Sequence, residues 1–204
     1  MELSQPLMSL MRELDATALG VLARGGAELT GRQVARLAGS KSPDSIRLAL
    51  HRLADAGLVI ARTEPQATLY SANREHLLWA AIEAALNSRT ELEHRIRNLA
   101  SGSAITGVTI AIYGSVARGD STRSSDVDLL VIFPDETTSE TRDEFVAELR
   151  THVEHWTGNE TQIYDLSRSD LVKQRADGDP IVQSWLAEAI VLTGEPLRNI
   201  ASDR

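Results

Sequence analysis

YGSVARGDSTRSSDVDLLVIF, Tyr113 to Phe133, carries a Gly-Ser turn, then two aspartates one residue apart, then an unbroken apolar run. The preceding VTIAIYG, Val108 to Gly114, is β-branched and stops at a glycine, while VDLLVIF is a second apolar strand closed by Pro134-Asp135. A strand, a turn at Gly114-Ser115 and a short helix from about Val116 aim backbone N–H groups and a hydroxyl outward, which suits phosphate oxygens. In the next strand Asp126 and Asp128 are two residues apart, so both carboxylates leave one face, about 7 Å apart along the strand. Two such like charges repel unless a divalent cation neutralises them, and oxygen-only donors suit Mg²⁺ or Mn²⁺.

Working outward, Thr141 to Trp156 is an amphipathic helix, and TQIYDL, Thr161 to Leu166, reads as a third strand. Helices follow around Ser169 to Arg175 and Pro180 to Glu188, with a short last strand in AIVLTG before Pro196. Other phosphate loops fit worse: there is no G-x-G-x-x-G, no G-K-[ST] after the glycines, and Ser115 is not in G-x-S-x-G. The histidines His51, His76, His94, His152 and His155 form no hydrolase set. His152 and His155, at i and i+3, read as a solvated helix face or a shared metal pair.

GSVARG…SDVDLLV resembles the signature of the DNA polymerase β-like nucleotidyltransferase superfamily, particularly its minimal bacterial and antibiotic-modifying members. The motif covers about twenty residues, and the supporting strand-helix order runs from about Thr106 to Gly194. The resemblance implies that Gly114 and Ser115 hold the triphosphate of a nucleotide, and that Asp126 and Asp128 are the catalytic pair ligating two metal ions. It further implies in-line attack of an acceptor hydroxyl on the α-phosphorus with departure of pyrophosphate, the metals stabilising attacking and leaving oxygens. Arg118 either assists with phosphate charge or is a surface arginine. The family has a third carboxylate on a later strand, here NETQIYDL. With Ile163 inward, Gln162 and Tyr164 face the active side and Asp165 points away; a bulge would return Asp165, and Glu160 has the right parity at the strand's start. Glutamine in that position would leave the catalytic metal short of one charge.

The N-terminal part has a different order. Leu14 to Ala23 reads as a helix ended by Gly25-Gly26. Thr30 caps a second helix through Ala38, and Ser42 or Asp44 caps a third that runs to Gly57. LVIART and ATLYSA, joined by EPQ, make a hairpin. From Leu14 to Asn73 this resembles bacterial winged-helix regulator domains, whose second paired helix reads the major groove. Burying Ile46, Leu50 and Leu53 turns Asp44, Arg47, Leu48, His51, Arg52 and Asp55 outward, so Arg47, His51 and Arg52 are the DNA-contact candidates. The face is only weakly basic, which predicts modest, salt-sensitive binding, or a role in dimerisation or protein contact instead.

Residues 1–75 hold nine Lys/Arg against eight Asp/Glu, and residues 76–204 hold twelve against twenty-one, within a net charge of -8. That asymmetry fits two units with different partners. Between them Arg74 to Ala100 carries a helical apolar stripe, read as one rod or as two helices meeting near Asn87 with Ser88 and Glu91 as a capping box. There is no cysteine and no apolar run long enough to span a bilayer, so the expectation is a cytoplasmic protein without a membrane partner.

The expected fold class is α+β. A winged helix-turn-helix fills residues 1–73 and a helical connector 74–100. A nucleotidyltransferase domain of small mixed sheet and flanking helices fills 101–204. The expected activity is transfer of a nucleoside monophosphate from a nucleoside triphosphate to a hydroxyl acceptor (EC 2.7.7 type), with Mg²⁺ or Mn²⁺, DNA as a second partner and a homodimer as the assembly. The competing reading is a catalytically weak regulator or antitoxin-type protein.

Overall fold

The computed structural model describes residues 1–40 and 42–202, which divide into two compact units. One comprises Glu2 and Ser4–Ser88; the other comprises Met1, Leu3 and the chain from Arg89 onward.

In the first unit a 3-10 turn at Pro6–Ser9 precedes α1 (Glu13–Gly25), β1 (Leu29–Thr30), α2 (Gly31–Leu37), α3 (Pro43–Asp55), β2 (Val59–Thr63), β3 (Thr68–Ala72) and α4 (Trp79–Leu86). Thr30 closes a full capping box with Gln33. Ser42, rather than Asp44, caps α3 by accepting from the Ser45 N–H. The spacing of Ile46, Ala49, Leu50 and Leu53 buries one face of α3 against Leu19, Leu22 and Val34, leaving Arg47, His51 and Arg52 outside. The hairpin β2–β3 gains a third, antiparallel strand in the two-residue β1, which pairs Leu29 with Tyr70. β1 carries too few residues for alternation to reveal it in sequence.

The second unit contains α5 (Ser88–Gly102), β4 (Thr109–Tyr113), α6 (Gly114–Arg118), β5 (Val127–Phe133), α7 (Ser139–Thr157), β6 (Thr161–Ser167), α8 (Arg168–Ala176), α9 (Pro180–Glu188), β7 (Ile190–Thr193) and α10 (Leu197–Ile200). The four-stranded sheet has the order β6-β5-β4-β7. β5 and β6 run parallel through the α7 crossover, and the other pairs are antiparallel. Helices cover both faces. Val127, Leu129, Val131 and Phe133 pack with Ile96 of α5 and Phe145, Leu149 and Val153 of α7. Leu130 and Ile132 pack with Leu171 and Trp185 of α8 and α9. That two-sided burial is why β5 reads as an unbroken apolar run. Each of its six fully buried side chains contributes about 1.5–3 kcal/mol.

Two helices, not one rod, occupy the stretch before the second sheet, with Asn87 between them. Ser88 forms no capping box; its hydroxyl donates to the Ala85 carbonyl. The apolar stripe is shared out, Trp79 and Ile82 belonging to the first unit's core and Leu92, Ile96 and Ala100 to the second's. Among the described residues no helix is long and apolar enough to cross a membrane.

Candidate nucleotide and metal site

β4 ends at Tyr113, which lies opposite Asp128 on the antiparallel β5. Asp128 shares its parity with Leu130 and Ile132, so its carboxylate emerges on the α8–α9 face at the open end of the strand. Gly114 follows with φ +67°, and a Cβ there would collide with Oδ2 of Asp128. The glycine is therefore demanded twice, by backbone conformation and by the carboxylate packed against its Cα. Its turn leads into α6, which closes when the amides of Gly119 and Asp120 both donate to the Ser115 carbonyl at 3.0 and 3.1 Å.

Asp126 falls just before β5 rather than in it, and Asp128 is its second residue; both are half-buried, and the charge of Asp126 is felt at Asp128. The loop delivering them is pinned by buried Asn159, whose Nδ2 donates to the Ser125 carbonyl at 2.8 Å and to the Met1 carbonyl at 3.1 Å. Partial burial raises the Asp128 carboxyl above its ordinary value, and the charges of Asp126 and Glu188 push the same way while Arg118 opposes them. Tyr113 is also raised, first by burial and then by the charges of Asp128 and Tyr164. A pair of carboxylates held in mutual repulsion is a donor set that fits a hard cation. Among the described residues no group of three or more His, Cys, Asp or Glu side chains is arranged to hold one.

The third-carboxylate question has a geometric answer. In the parallel register Asp128 lies opposite Gln162, Leu130 opposite Tyr164 and Val131 opposite Asp165. β6 shows no bulge between Thr161 and Ser167, so Gln162 and Tyr164 share the face of Asp128 and Asp165 takes the other. Tyr164 leans on Trp185 at 4.9 Å between ring centroids, and Tyr113 contacts the same indole at 6.0 Å. Glu160 sits just before β6, its carbonyl accepting from the Val127 N–H.

Arg118 is not a free surface arginine. Its Nη1 donates to Oε2 of Glu188 at 2.9 Å and its Nε to Oδ2 of Asp120 at 3.4 Å, contacts that hold it firmly cationic and draw Glu188 below its ordinary value. Sequence reading missed Asn159, Trp185 and Glu188. All three act from elements distant in the chain, and no local motif marks them.

In the first unit Arg47 and His51 line a cleft of about 680 Å³ with Arg32, Gln66, Thr68 and Tyr70. Arg47 is within 3.6 Å of Asp44. Arg52 is turned instead onto Asp15, which it grips through Nη2 and Nε at 2.5 and 3.2 Å. His152 hydrogen-bonds the Glu148 carbonyl and tilts against Trp156.

The nucleotidyltransferase domain family matches residues 89–190, half of the chain. The chain belongs to this family. No curated protein sequence matches it. Four solved structures are similar at a distance, three of which follow. A toxin–antitoxin with AMP-PNP is 20% identical over 53% of this chain and 80% of that one, with a TM-score of 0.38. A mutant of the toxin–antitoxin MntA-HpeT is 18% identical over the same shares, also at 0.38. TrmBL2, an archaeal chromatin protein, is 13% identical over 90% of this chain and 76% of that one, at 0.30. The match to the nucleotidyltransferase domain spans β4 to β6 and therefore contains Gly114, Ser115, Asp126 and Asp128.

Proposed function

We propose that the protein is a Mg²⁺- or Mn²⁺-dependent nucleotidyltransferase that moves a nucleoside monophosphate from a nucleoside triphosphate to a hydroxyl acceptor. The observation that carries this reading is the approach of Asp128 to the Cα of Gly114, with Asp126 two residues before it, in a chain of this family. Asp126 and Asp128 would hold the metal, which would supply charge stabilisation to the attacking and leaving oxygens. The chain's own part is to orient: the Gly114-Ser115 turn and Arg118 receive phosphate oxygens, and Asn159 pins the Ser125 loop that leads into Asp126 and Asp128. Incubation with each labelled triphosphate and Mg²⁺ or Mn²⁺ tests it. Pyrophosphate release is expected from the wild type and should fall roughly 10²–10³-fold in Asp126→Ala and in Asp128→Ala. No release with any triphosphate across candidate acceptors overturns the enzyme.

Gln162 opposite Asp128 favours a second reading, a nucleotide-binding regulator with weak turnover. In either case the first unit is proposed to be a winged helix-turn-helix. The cleft bearing Arg32, Arg47 and His51 supports contact with a DNA backbone, and a symmetric homodimer would present two such clefts. A gel shift on the protein's own upstream DNA should weaken in Arg47→Ala, with a salt slope reduced by about 1.

A further inference from the structure

The carboxyl end of α9 reaches the nucleotide site by a short path. Val182 and Trp185 are buried beneath the second sheet face, the indole edge-on to Tyr113 and Tyr164, so α9 is held as a rigid element. Glu188 is its last residue, and two residues later Ile190 pairs with Ile112, itself two residues before Gly114. Core packing on one side and strand pairing on the other thus bring Glu188 to the turn that carries the motif.

There its two carboxylate oxygens have separate partners. Oε1 accepts from the Ser184 hydroxyl at 2.9 Å, one helical turn back, and Oε2 accepts from Arg118 Nη1 at 2.9 Å. The Glu188 side chain is 26% exposed against 62% for Asp120, the other acid on Arg118, so Glu188 is the better ordered of the two. A guanidinium has five N–H donors. The contacts to Asp120 and Glu188 take one each, leaving three that point elsewhere in a fixed plane. The helix that carries Arg118, α6, packs against both β5 and α9 and begins at Gly114, against which Asp128 lies, so the pair is built onto the same turn as that carboxylate.

We infer that Glu188, steadied by Ser184, is a positioning residue for Arg118, fixing the guanidinium so that its remaining N–H groups meet the polyphosphate of the nucleotide. The inference rests on the proposed nucleotide site and adds to it an acid, supplied by a helix some sixty residues downstream of the Asp-x-Asp strand, that sets nucleotide affinity. Glu188 touches neither substrate nor reacting atoms; it acts through Arg118.

The test is calorimetric titration of the full chain with the α,β-methylene analogues of ATP, GTP, CTP and UTP in Mg²⁺, none of which can turn over. Glu188→Ala should weaken binding roughly tenfold, the loss of one charge-assisted contact. Glu188→Gln keeps an acceptor for Arg118 and a donor for Ser184, and should restore affinity to within about threefold of wild type. Arg118→Ala should weaken binding at least as much as Glu188→Ala, and the double variant should be no weaker than Arg118→Ala alone. Should Glu188→Ala fail to fold, Ser184→Ala carries the same prediction in milder form. Unchanged or tighter binding by Glu188→Ala, or a loss that persists undiminished in the Arg118→Ala background, overturns the inference. If the wild type binds none of the four analogues, the nucleotide site itself falls and the inference with it. Binding that is lost in Asp128→Ala but indifferent to Glu188 overturns the inference alone.

Discussion

Two charged places in the molecule, one in each unit, are built differently. In the first unit Arg52 meets Asp15, Arg47 meets Asp44, and Arg62 of the hairpin bridges Glu28 and Glu64. In the second, Asp128 is half-buried beside Asp126, and Arg118, the cation that relieves it, is already engaged by Asp120 and Glu188. Neutralised surface pairs contribute little and leave a bland face. An uncompensated carboxylate pair raises the energy of the unliganded protein and is relieved by a cation. The contrast is between arginines neutralised at the surface and a carboxylate that partial burial and a neighbouring acid push above its ordinary value.

The sharpest way to break the contrast is Gly114→Ala. The added methyl meets Asp128 in a left-handed backbone, so pyrophosphate release should fall roughly 10²-fold or more, with a lowered unfolding midpoint. Gln162→Asp sharpens it in the other direction, placing a third carboxylate in the row of Asp128; turnover should rise roughly tenfold if charge at that position limits the rate. A third change separates stability from function. Asp128 has a raised pKa, so the folded state binds more protons than the unfolded one just above the ordinary carboxylate value, and stability declines as pH climbs through that window. Asp128→Asn should therefore unfold roughly 1–3 °C higher than wild type at pH 7, the gain vanishing once both carboxyl states are protonated, while turnover is lost. The smallest effect belongs to the first unit: Asp15→Ala frees Arg52 and should tighten DNA binding roughly two- to fivefold at low salt, read by gel shift.

Much of this was legible before any coordinate. The cap at Thr30, the face of α3, the apolar strand β5 and the parity of Gln162 against Asp165 all follow from local rules, because a helix cap, a helical stripe and strand alternation are decided by neighbours in sequence. β1 and α10 were not legible, being too short to show a period. The trio Arg47, His51 and Arg52 was legible as an exposed face but not as a set of free charges. Arg52 is 37 residues from Asp15, and only the packing of α1 against α3 brings them together.

The sequence by itself determined the Gly114-Ser115 turn and the two aspartates, Asp126 and Asp128, leading into a buried apolar strand, since each depends on residue identity and local pattern. Tertiary structure alone decided which charges remain available. The register that sets Gln162 against Asp128, the reach of Glu188 to Arg118 and the grip of Asp15 on Arg52 join residues far apart in the chain. Coulomb energy and desolvation depend on distance in space and on what surrounds the group, and neither is written in the order of residues.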